Sequence, residues 1–209
     1  MLNLDMASVP TLSQAMHEQH MRAAIAEAER ARGRTGDNPW VGCVIVDEHG
    51  REVAGGCTQG PGEDHAEIVA MQAARSAGVD LSRTILYSTL EPCSFHGRTP
   101  ACSNAVIAAG IPCIVTGMRD PNPRVDGIGL QMLRDGGLIV VEDICVREIT
   151  HQLAEWILTQ HPHEPLRRAR ALWVALGGAR EETLRQLADH YGVARTRVEA
   201  FVEQVERCD

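Results

Sequence analysis

The sequence predicts an α/β fold in three layers, a mixed sheet with helices on both faces, followed by a small all-α C-terminal bundle. The chain opens with apolar residues at helical spacing, and β-branched runs separated by turn residues follow. After Ile144 the spacing is helical to the end. A helix, a hairpin and then alternating helices and strands are typical of a mixed sheet between helical layers. The change of character predicts two domains, residues 1–148 and 149–209.

Each element has a local signal. Apolar spacing predicts a first helix over 16–32, and the turn residues 47–50 join two strands over 41–46 and 51–57 into a hairpin. Asp64 is the predicted cap of a helix over 64–77, with Gly78 after its end. The remaining predictions are a strand over 84–90, a helix over 99–109 before Gly110, a strand over 111–118, a helix over 127–134 and a strand over 138–141.

Composition excludes some classes of function. The 209 residues are 44% apolar and carry a net charge of -8, which gives no basic footprint for nucleic acid. No run approaches the ~20 apolar residues of a membrane span, and the first 21 residues do not resemble a secretory signal. We therefore expect a cytoplasmic protein. Seven cysteines in such a chain favour metal binding or chemistry over disulfides.

Two short segments carry groups that fit a catalytic metal. His65-Ala66-Glu67 stands at a predicted helix start, and Cys93 after Pro92 precedes Cys102 by nine positions. One imidazole and two thiolates leave a tetrahedral zinc ion one position for water, the arrangement of catalytic sites. Glu67, two residues from the histidine, is placed to move protons. The pattern predicts zinc-assisted hydrolysis at an amino-substituted ring carbon, with ammonia leaving.

Simpler interpretations of each part exist. A His-Ala-Glu segment is common at ordinary helix starts, and the two cysteines are also compatible with unrelated buried thiols. A structural zinc would need a fourth protein ligand, for which His96 and Cys113 are candidates. The joint occurrence of the three ligands and Glu67 favours a catalytic zinc.

Five motifs extend the pattern over about residues 16–148: Asn38-Pro39 with Val41–Val46, His65-Ala66-Glu67, Thr89–Ser94, Gly97–Pro100 with Cys102, and Asp120–Pro123 with Val125, Gly127 and Gly129. Together they resemble the pyrimidine deaminase of riboflavin biosynthesis. The gap of eight residues between the two cysteines distinguishes that family from cytidine, tRNA-adenosine and polynucleotide deaminases, in which the gap is two. The resemblance implies a cytidine-deaminase-like sandwich, a zinc cofactor, and an aminopyrimidine substrate that carries a ribosylamino 5′-phosphate.

The same resemblance implies the substrate contacts. Asn38 would touch the substrate near the metal, and Arg98 would meet a phosphate or ring oxygen. Asp120 and Asn122 would contact the ribose-phosphate end. For Asn122 a turn role is equally open, because Asp-Pro-Asn-Pro forms turns without any ligand.

The chain departs from the family pattern at four places. Asp37 replaces a usual proline, and Thr58 and Phe95 stand where the family usually has histidine. Thr58 and Phe95 would belong to the substrate pocket, so their identity bears on which substrate binds. About 60 residues follow the deaminase part, without a Gly-rich dinucleotide fingerprint, so we expect no reductase domain in this sequence.

The helical tail resembles a helix-turn-helix unit over residues 183–203. Gly192 would make the turn, Arg195 and Arg197 would begin a recognition helix, and a helix over 166–176 would complete a three-helix bundle. Residues 161–165 would be the linker before it. A dimerisation or lid module is the alternative, because acidic and basic residues balance in this region.

Three classes of function compete. The first is a small-molecule deaminase, with the riboflavin intermediate or a related heterocycle, nucleoside or nucleotide as substrate. The second is a nucleic-acid base deaminase, which the 3% aromatic content and acidic charge disfavour. The third is a DNA-binding regulator, which would not need Glu67. We expect a homo-oligomer that binds a small heterocyclic substrate, no membrane, and nucleic acid only through the tail.

Overall fold

The computed structural model describes residues 12–95 and 100–206, with side chains to residue 203. The chain divides into two compact units, residues 1–146 and 147–209. The helical unit thus begins two residues before the boundary placed on the sequence. Within the described residues, no helix is both long and apolar enough to cross a membrane.

The first unit is built on one mixed sheet of five strands. The strands are β1 (Gly42–Asp47), β2 (Glu52–Cys57), β3 (Thr84–Leu90), β4 (Cys113–Met118) and β5 (Ile139–Val141), in the order β2-β1-β3-β4-β5. β1 pairs antiparallel with both β2 and β3, whereas β3–β4 and β4–β5 are parallel. Every residue of β3 is buried, as expected for a central strand with both faces covered.

Of the described residues, four stretches form the α-helices of this unit: α1 (Gln14–Glu29), α2 (Ala66–Ser76), α3 (Cys102–Ala108) and α4 (Ile128–Asp135). Two glycines show that α1 and α2 lie on opposite faces of the sheet. A Cβ on Gly42 would lie 2.0 Å from the Ala24 carbonyl of α1, and one on Gly56 would lie 2.5 Å from the Ala70 nitrogen of α2.

Gly56 pairs with the residue after Gly42, so the two glycines face opposite sides of the pleat. The predicted fold class, a mixed sheet with helices on both faces, is confirmed.

Some element boundaries predicted from the sequence were wrong. Asp64 does not cap α2: His65 is the N-cap residue, and the Asp64 carboxylate instead accepts a hydrogen bond from the Gln72 side chain at 3.0 Å. The helix predicted over 99–109 begins only at Cys102, because the backbone of Ala101 (φ -57°, ψ 126°) is not helical. The strand predicted from Ile111 begins at Cys113.

Among the described residues, the second unit contains four helices: α5 (Val146–Gln160, of which Val146 ends the first unit), α6 (His163–Ala175), α7 (Arg180–Tyr191) and α8 (Arg195–Glu206). The helix α5 precedes the predicted linker, and α6, α7 and α8 occupy the region of the predicted three-helix bundle. The predicted linker over 161–165 was too long, because α6 already includes His163 and Pro165. Pro165 lies in the first turn of α6, where a helix tolerates proline since the missing N–H has no partner there. Gly192 adopts a left-handed conformation (φ 63°) after α7, as a turn between two helices requires.

Candidate zinc site

His65 stands directly before the first turn of α2. Its backbone is extended and its side chain makes no capping hydrogen bond, so the imidazole is not committed to the helix end. The helix is amphipathic, and its buried residues Ala66, Ala70 and Ala74 recur at the spacing of one face. Because this face packs on the sheet, His65 lies near the C-terminal end of β3.

Cys93 and Cys102 lie close together, one after the end of β3 and the other at the start of α3. Cys93 follows β3 by three residues, and Cys102 is the first residue of α3. The Ser103 hydroxyl donates to the carbonyls of Pro92 at 3.1 Å and Cys93 at 3.0 Å. The Ser103 N–H also donates to the Cys93 carbonyl at 3.2 Å. These bonds join the segment after β3 to the start of α3, so Cys93 and Cys102 lie close together although they are nine positions apart in sequence.

The three predicted ligands form one cluster. The His65 Nδ1 atom lies 3.2 Å from Cys102 Sγ and 3.7 Å from Cys93 Sγ, and all three ligand atoms lie within 4.8 Å of one another. A tetrahedral zinc ion with ordinary Zn–S and Zn–N bonds would separate its ligand atoms by about 3.4–3.8 Å. The donor set and its spacing therefore fit zinc.

The electrostatics of the cluster favour one thiolate even before a metal binds. The pKa of the Cys93 thiol is lowered to about 4, chiefly by a hydrogen bond from the Cys102 thiol and then by His65 and the Cys102 N–H. That N–H, at the start of α3, donates to Cys93 Sγ at 3.2 Å. The same pairing raises the pKa of Cys102, and the hydrogen bond with Cys93 raises the pKa of His65. A metal ion would displace these protons.

Glu67 lies in the first turn of α2 and is 3% exposed. Burial raises the pKa of its carboxyl above the usual range, while the positive charge on His65 opposes the rise. The carboxylate is within hydrogen-bond reach of the Cys102 thiol. Glu67 therefore stands beside the cluster, with a proton affinity shifted toward neutral pH, as a general acid and base requires.

Glu91 is a residue of the site that the sequence analysis quoted in a motif but assigned no role. Its carboxylate is 3% exposed and accepts four backbone N–H bonds. Burial raises the pKa of Glu91, and the four donors oppose that rise. The sequence signal was weak, because a glutamate before Pro-Cys has no local pattern that reveals donors some 30–40 positions later.

Asp120 and Asn122 lie in the segment that Glu91 holds. Asn122 N–H donates to Asp120 Oδ1 at 2.8 Å, and Asn122 Oδ1 accepts from the Arg124 N–H at 3.0 Å, so both side chains perform turn chemistry. The pKa of Asp120 is raised to about 6, mainly by burial, and its neighbours Glu91 and Cys93 add to the rise. The charge of the predicted zinc ligand Cys93 therefore contributes to the raised pKa of Asp120.

The other predicted substrate contacts have different surroundings. The Thr58 hydroxyl accepts from the Val41 N–H at 3.1 Å and is buried, so it joins β1 to the end of β2. The backbone of Asn38 bonds with Thr35, and Phe95 is 49% exposed. Arg98 and His96 lie outside the described residues. Cys113, one candidate for a fourth ligand, is buried at the start of β4 and does not join the cluster.

The arginines predicted to begin a recognition helix are paired with carboxylates. Arg195 forms ion pairs with Glu181 and Glu199, the second at 3.0 Å, and Arg197 pairs with Glu155 at 3.0 Å. Each of these partners belongs to the same helical unit. The pairing offsets the positive charge that phosphate contacts would need.

The chain is similar to a known protein family and to several known proteins. Residues 14–118 match the model of the cytidine and deoxycytidylate deaminase zinc-binding region. The chain is 46% identical over 131 residues to the Escherichia coli riboflavin biosynthesis protein RibD, covering 63% of this chain and 35% of that protein. It is 38% identical over 151 residues to the chloroplastic riboflavin biosynthesis protein PYRD of Zea mays, covering 71% of this chain and 38% of that one.

A solved structure shows the same relationship. It is the diaminohydroxyphosphoribosylaminopyrimidine deaminase/5-amino-6-(5-phosphoribosylamino)uracil reductase of Thermotoga maritima, with a TM-score of 0.64 and 39% identity. The match covers 69% of this chain and 41% of that one. The chain therefore spans between about a third and two fifths of the length of these relatives.

Proposed function

The chain belongs to the cytidine and deoxycytidylate deaminase zinc-binding family, and from this premise we propose that it is a zinc-dependent hydrolytic deaminase of a small aminopyrimidine. One observation carries the proposal: the buried carboxylate of Glu67 stands beside a cluster of His65, Cys93 and Cys102 whose spacing fits zinc. A ligand set of one imidazole and two thiolates with a neighbouring glutamate is general to zinc-dependent deaminases.

The residues would divide the work as follows. His65, Cys93 and Cys102 would hold zinc, which supplies a water molecule with a pKa near 7 at its open position. Glu67 would take a proton from that water and deliver it to the ring nitrogen of the substrate. Once the water oxygen has bonded to the amino-bearing ring carbon, Glu67 would take the remaining proton of that oxygen and pass it to the amino group, whose C–N bond then breaks so that ammonia departs. The raised pKa of Glu67 suits both steps, because the group must accept and release protons near neutral pH.

The first substrate to consider is diaminohydroxyphosphoribosylaminopyrimidine, which the name of the Thermotoga maritima relative includes. Identities of 38–46% to riboflavin biosynthesis proteins support it. Asp120 and Asn122 would face the ribose-phosphate end, with the turn bonds of these side chains fixing the loop. Asn38 and Arg98 would complete the contacts.

A related heterocycle, nucleoside or nucleotide is the second candidate, and Thr58 favours it. The family usually places a histidine there, whereas the Thr58 hydroxyl is engaged with the Val41 backbone. A pocket that lacks a polar contact binds less well those substrates whose polar groups need that contact. Phe95, half exposed, adds a second change of the same kind.

A substrate panel tests the proposal. Zinc-loaded protein would be incubated with aminopyrimidines, purines and their nucleosides and nucleotides, and mass spectrometry would detect replacement of an amino group by oxygen. We expect turnover of the aminopyrimidine ribosylamino-phosphate, and none after the metal is removed with a chelator. Turnover of other heterocycles alone would select the second candidate, and no turnover of any member would contradict the proposal.

The variant with Thr58→His and Phe95→His separates the two candidates. If these two positions redirect the pocket, the double variant gains turnover of the riboflavin intermediate relative to the native chain. Since the Thr58 hydroxyl also bonds with the Val41 backbone, the thermal stability of the double variant must be measured as well. A stable double variant without any gain would show that these positions do not set the substrate.

The predicted homo-oligomer, the predicted domain roles and the cytoplasmic location stay predictions. Sedimentation of the purified chain measures the first of them directly.

A further inference from the structure

The four N–H groups that the Glu91 carboxylate accepts come from one segment far along the chain. Oε2 accepts from Asp120 at 3.3 Å and from Gly127 at 2.8 Å. Oε1 accepts from Gly129 at 2.8 Å and from Leu130 at 3.3 Å. Both oxygens therefore hold the turn over 120–127 and the first turn of α4.

The segment that Glu91 holds is joined to the ligand arm, which is the stretch of residues 91–93 that ends with the predicted zinc ligand Cys93. Glu91 precedes that ligand by two residues, and its own N–H donates to the Met118 carbonyl at the end of β4 at 2.9 Å. A Cβ on Gly129 would lie 2.2 Å from the Pro92 carbonyl oxygen and 3.1 Å from the Ser103 hydroxyl. The start of α4 thus packs directly on the loop that closes around the predicted zinc ligands.

We propose that Glu91 is a positioning residue that fixes the segment over 120–130 against the ligand arm, and so sets both the ligand geometry at Cys93 and the position of Asp120. Asp120 belongs to this segment, and its N–H is one of the four that donate to Glu91, at 3.3 Å. The part concerning substrate rests on the proposed function, whereas the part concerning ligand geometry does not.

A carboxylate suits this role and an amide does not. Both oxygens of a carboxylate only accept, so each can serve two N–H donors. A glutamine keeps one such oxygen and turns an NH2 group toward the other two donors, whichever way the amide is oriented. Two buried N–H groups then lose their partner, and the segment must move to satisfy them.

The test compares Glu91→Gln with Asp47→Asn as a matched control. Asp47 also accepts backbone N–H groups, from His49 and Arg51, but it does so in the turn between β1 and β2. The full chain of each variant would be loaded with Co²⁺ in place of zinc, and the visible absorption of the bound ion would report ligand geometry. Metal affinity, thermal stability, kcat and KM would be measured on the same preparations.

We expect Glu91→Gln to change the Co²⁺ spectrum and to weaken metal binding or raise KM by roughly 10–100-fold, as changes of groups behind metal ligands do. Asp47→Asn should lower stability at most and leave the spectrum and KM unchanged. A Glu91→Gln protein that is less stable but has the native spectrum, affinity and KM would overturn the proposal, because Glu91 would then be structural only.

Glu91→Asp covers the case in which Glu91→Gln does not fold. It retains four acceptor sites on a shorter side chain, so we expect a folded protein whose Co²⁺ spectrum and KM differ from those of the native chain. Native values in Glu91→Asp would also overturn the proposal. If the native chain deaminates nothing in the panel, the Co²⁺ spectra alone decide, which separates this inference from the proposed function.

Discussion

The backbone N–H of Cys102 donates to the sulfur of Cys93 at 3.2 Å. One predicted zinc ligand is therefore stabilised as a thiolate by the first residue of the helix that supplies the other. A free N–H at a helix start favours negative charge, and here it acts together with the Cys102 thiol and His65 to lower the pKa of Cys93 to about 4. The site is prepared for a cation by the chain itself.

Metal content follows from this arrangement. We expect about one zinc per chain, and Cys102→Ser should lose most of it, because a serine hydroxyl is a poor zinc ligand beside a histidine and a thiolate. Metal analysis of the purified proteins measures this. Cys113→Ser is the matched control, since Cys113 is buried elsewhere and burial raises the pKa of its thiol to about 12. Native protein without zinc would contradict the prediction.

Glu67→Gln should retain zinc and abolish ammonia release, because the amide keeps the shape of the side chain but cannot shuttle protons. General acid and base catalysis typically contributes about 10²–10⁴-fold to the rate, so we expect kcat to fall by about 100-fold or more. The control is Glu63→Gln, whose side chain accepts a hydrogen bond from the Gly60 N–H on the surface at 2.9 Å. An unchanged rate in Glu67→Gln would refute the assigned role.

Gly56→Ala should destabilise the first unit. The added methyl would lie 2.5 Å from the Ala70 nitrogen, so α2 must move away from the sheet at a cost of about 1–3 kcal/mol or more. Urea unfolding measures the change. Gly55→Ala in the same strand is the control, because the three atoms nearest to its methyl all belong to the flexible Glu27 side chain, at 3.2–3.4 Å. Equal losses in both variants would show that α2 does not pack as described.

Asp120 predicts a pH dependence of stability in metal-free protein. Its folded pKa of about 6 lies above its usual value of 3.8, so between these values the folded state binds more protons than the unfolded state. Stability contributed by this group is present below about pH 4 and is lost as pH rises through 6. Asp120→Asn should remove that loss, as urea unfolding at pH 5 and pH 7.5 would show. A variant that is no more stable than the native chain at pH 7.5 would count against it.

The helical unit should not bind DNA at moderate salt, because Arg195 and Arg197 are paired with carboxylates. A gel shift over a salt series tests this. A shift that weakens with salt and disappears in a variant with Arg195→Gln and Arg197→Gln would contradict the prediction and support the helix-turn-helix interpretation.

The sequence by itself determined the fold class and the residues of the metal cluster. Period-2 and period-3.6 patterns are local, so β3 was predicted at its observed bounds, Thr84–Leu90, and α2 within two residues at each end. His65, Cys93 and Cys102 carry side chains whose chemistry is specific enough to point to zinc before any distance is known, and the structure brings them within 4.8 Å.

Only the tertiary structure decided how the site is supported. Glu91 has its partners 29–39 positions later, and no local pattern connects a carboxylate with N–H groups that a turn and a helix start present to it. Thr58 stays a predicted pocket residue, and only the structure shows that its hydroxyl accepts from the Val41 N–H across the hairpin end. Asp64 was predicted as a cap, but His65 occupies that position because α2 begins one residue later. Such roles depend on which backbone groups come together after folding, and the residues next to a position in the sequence do not specify those partners.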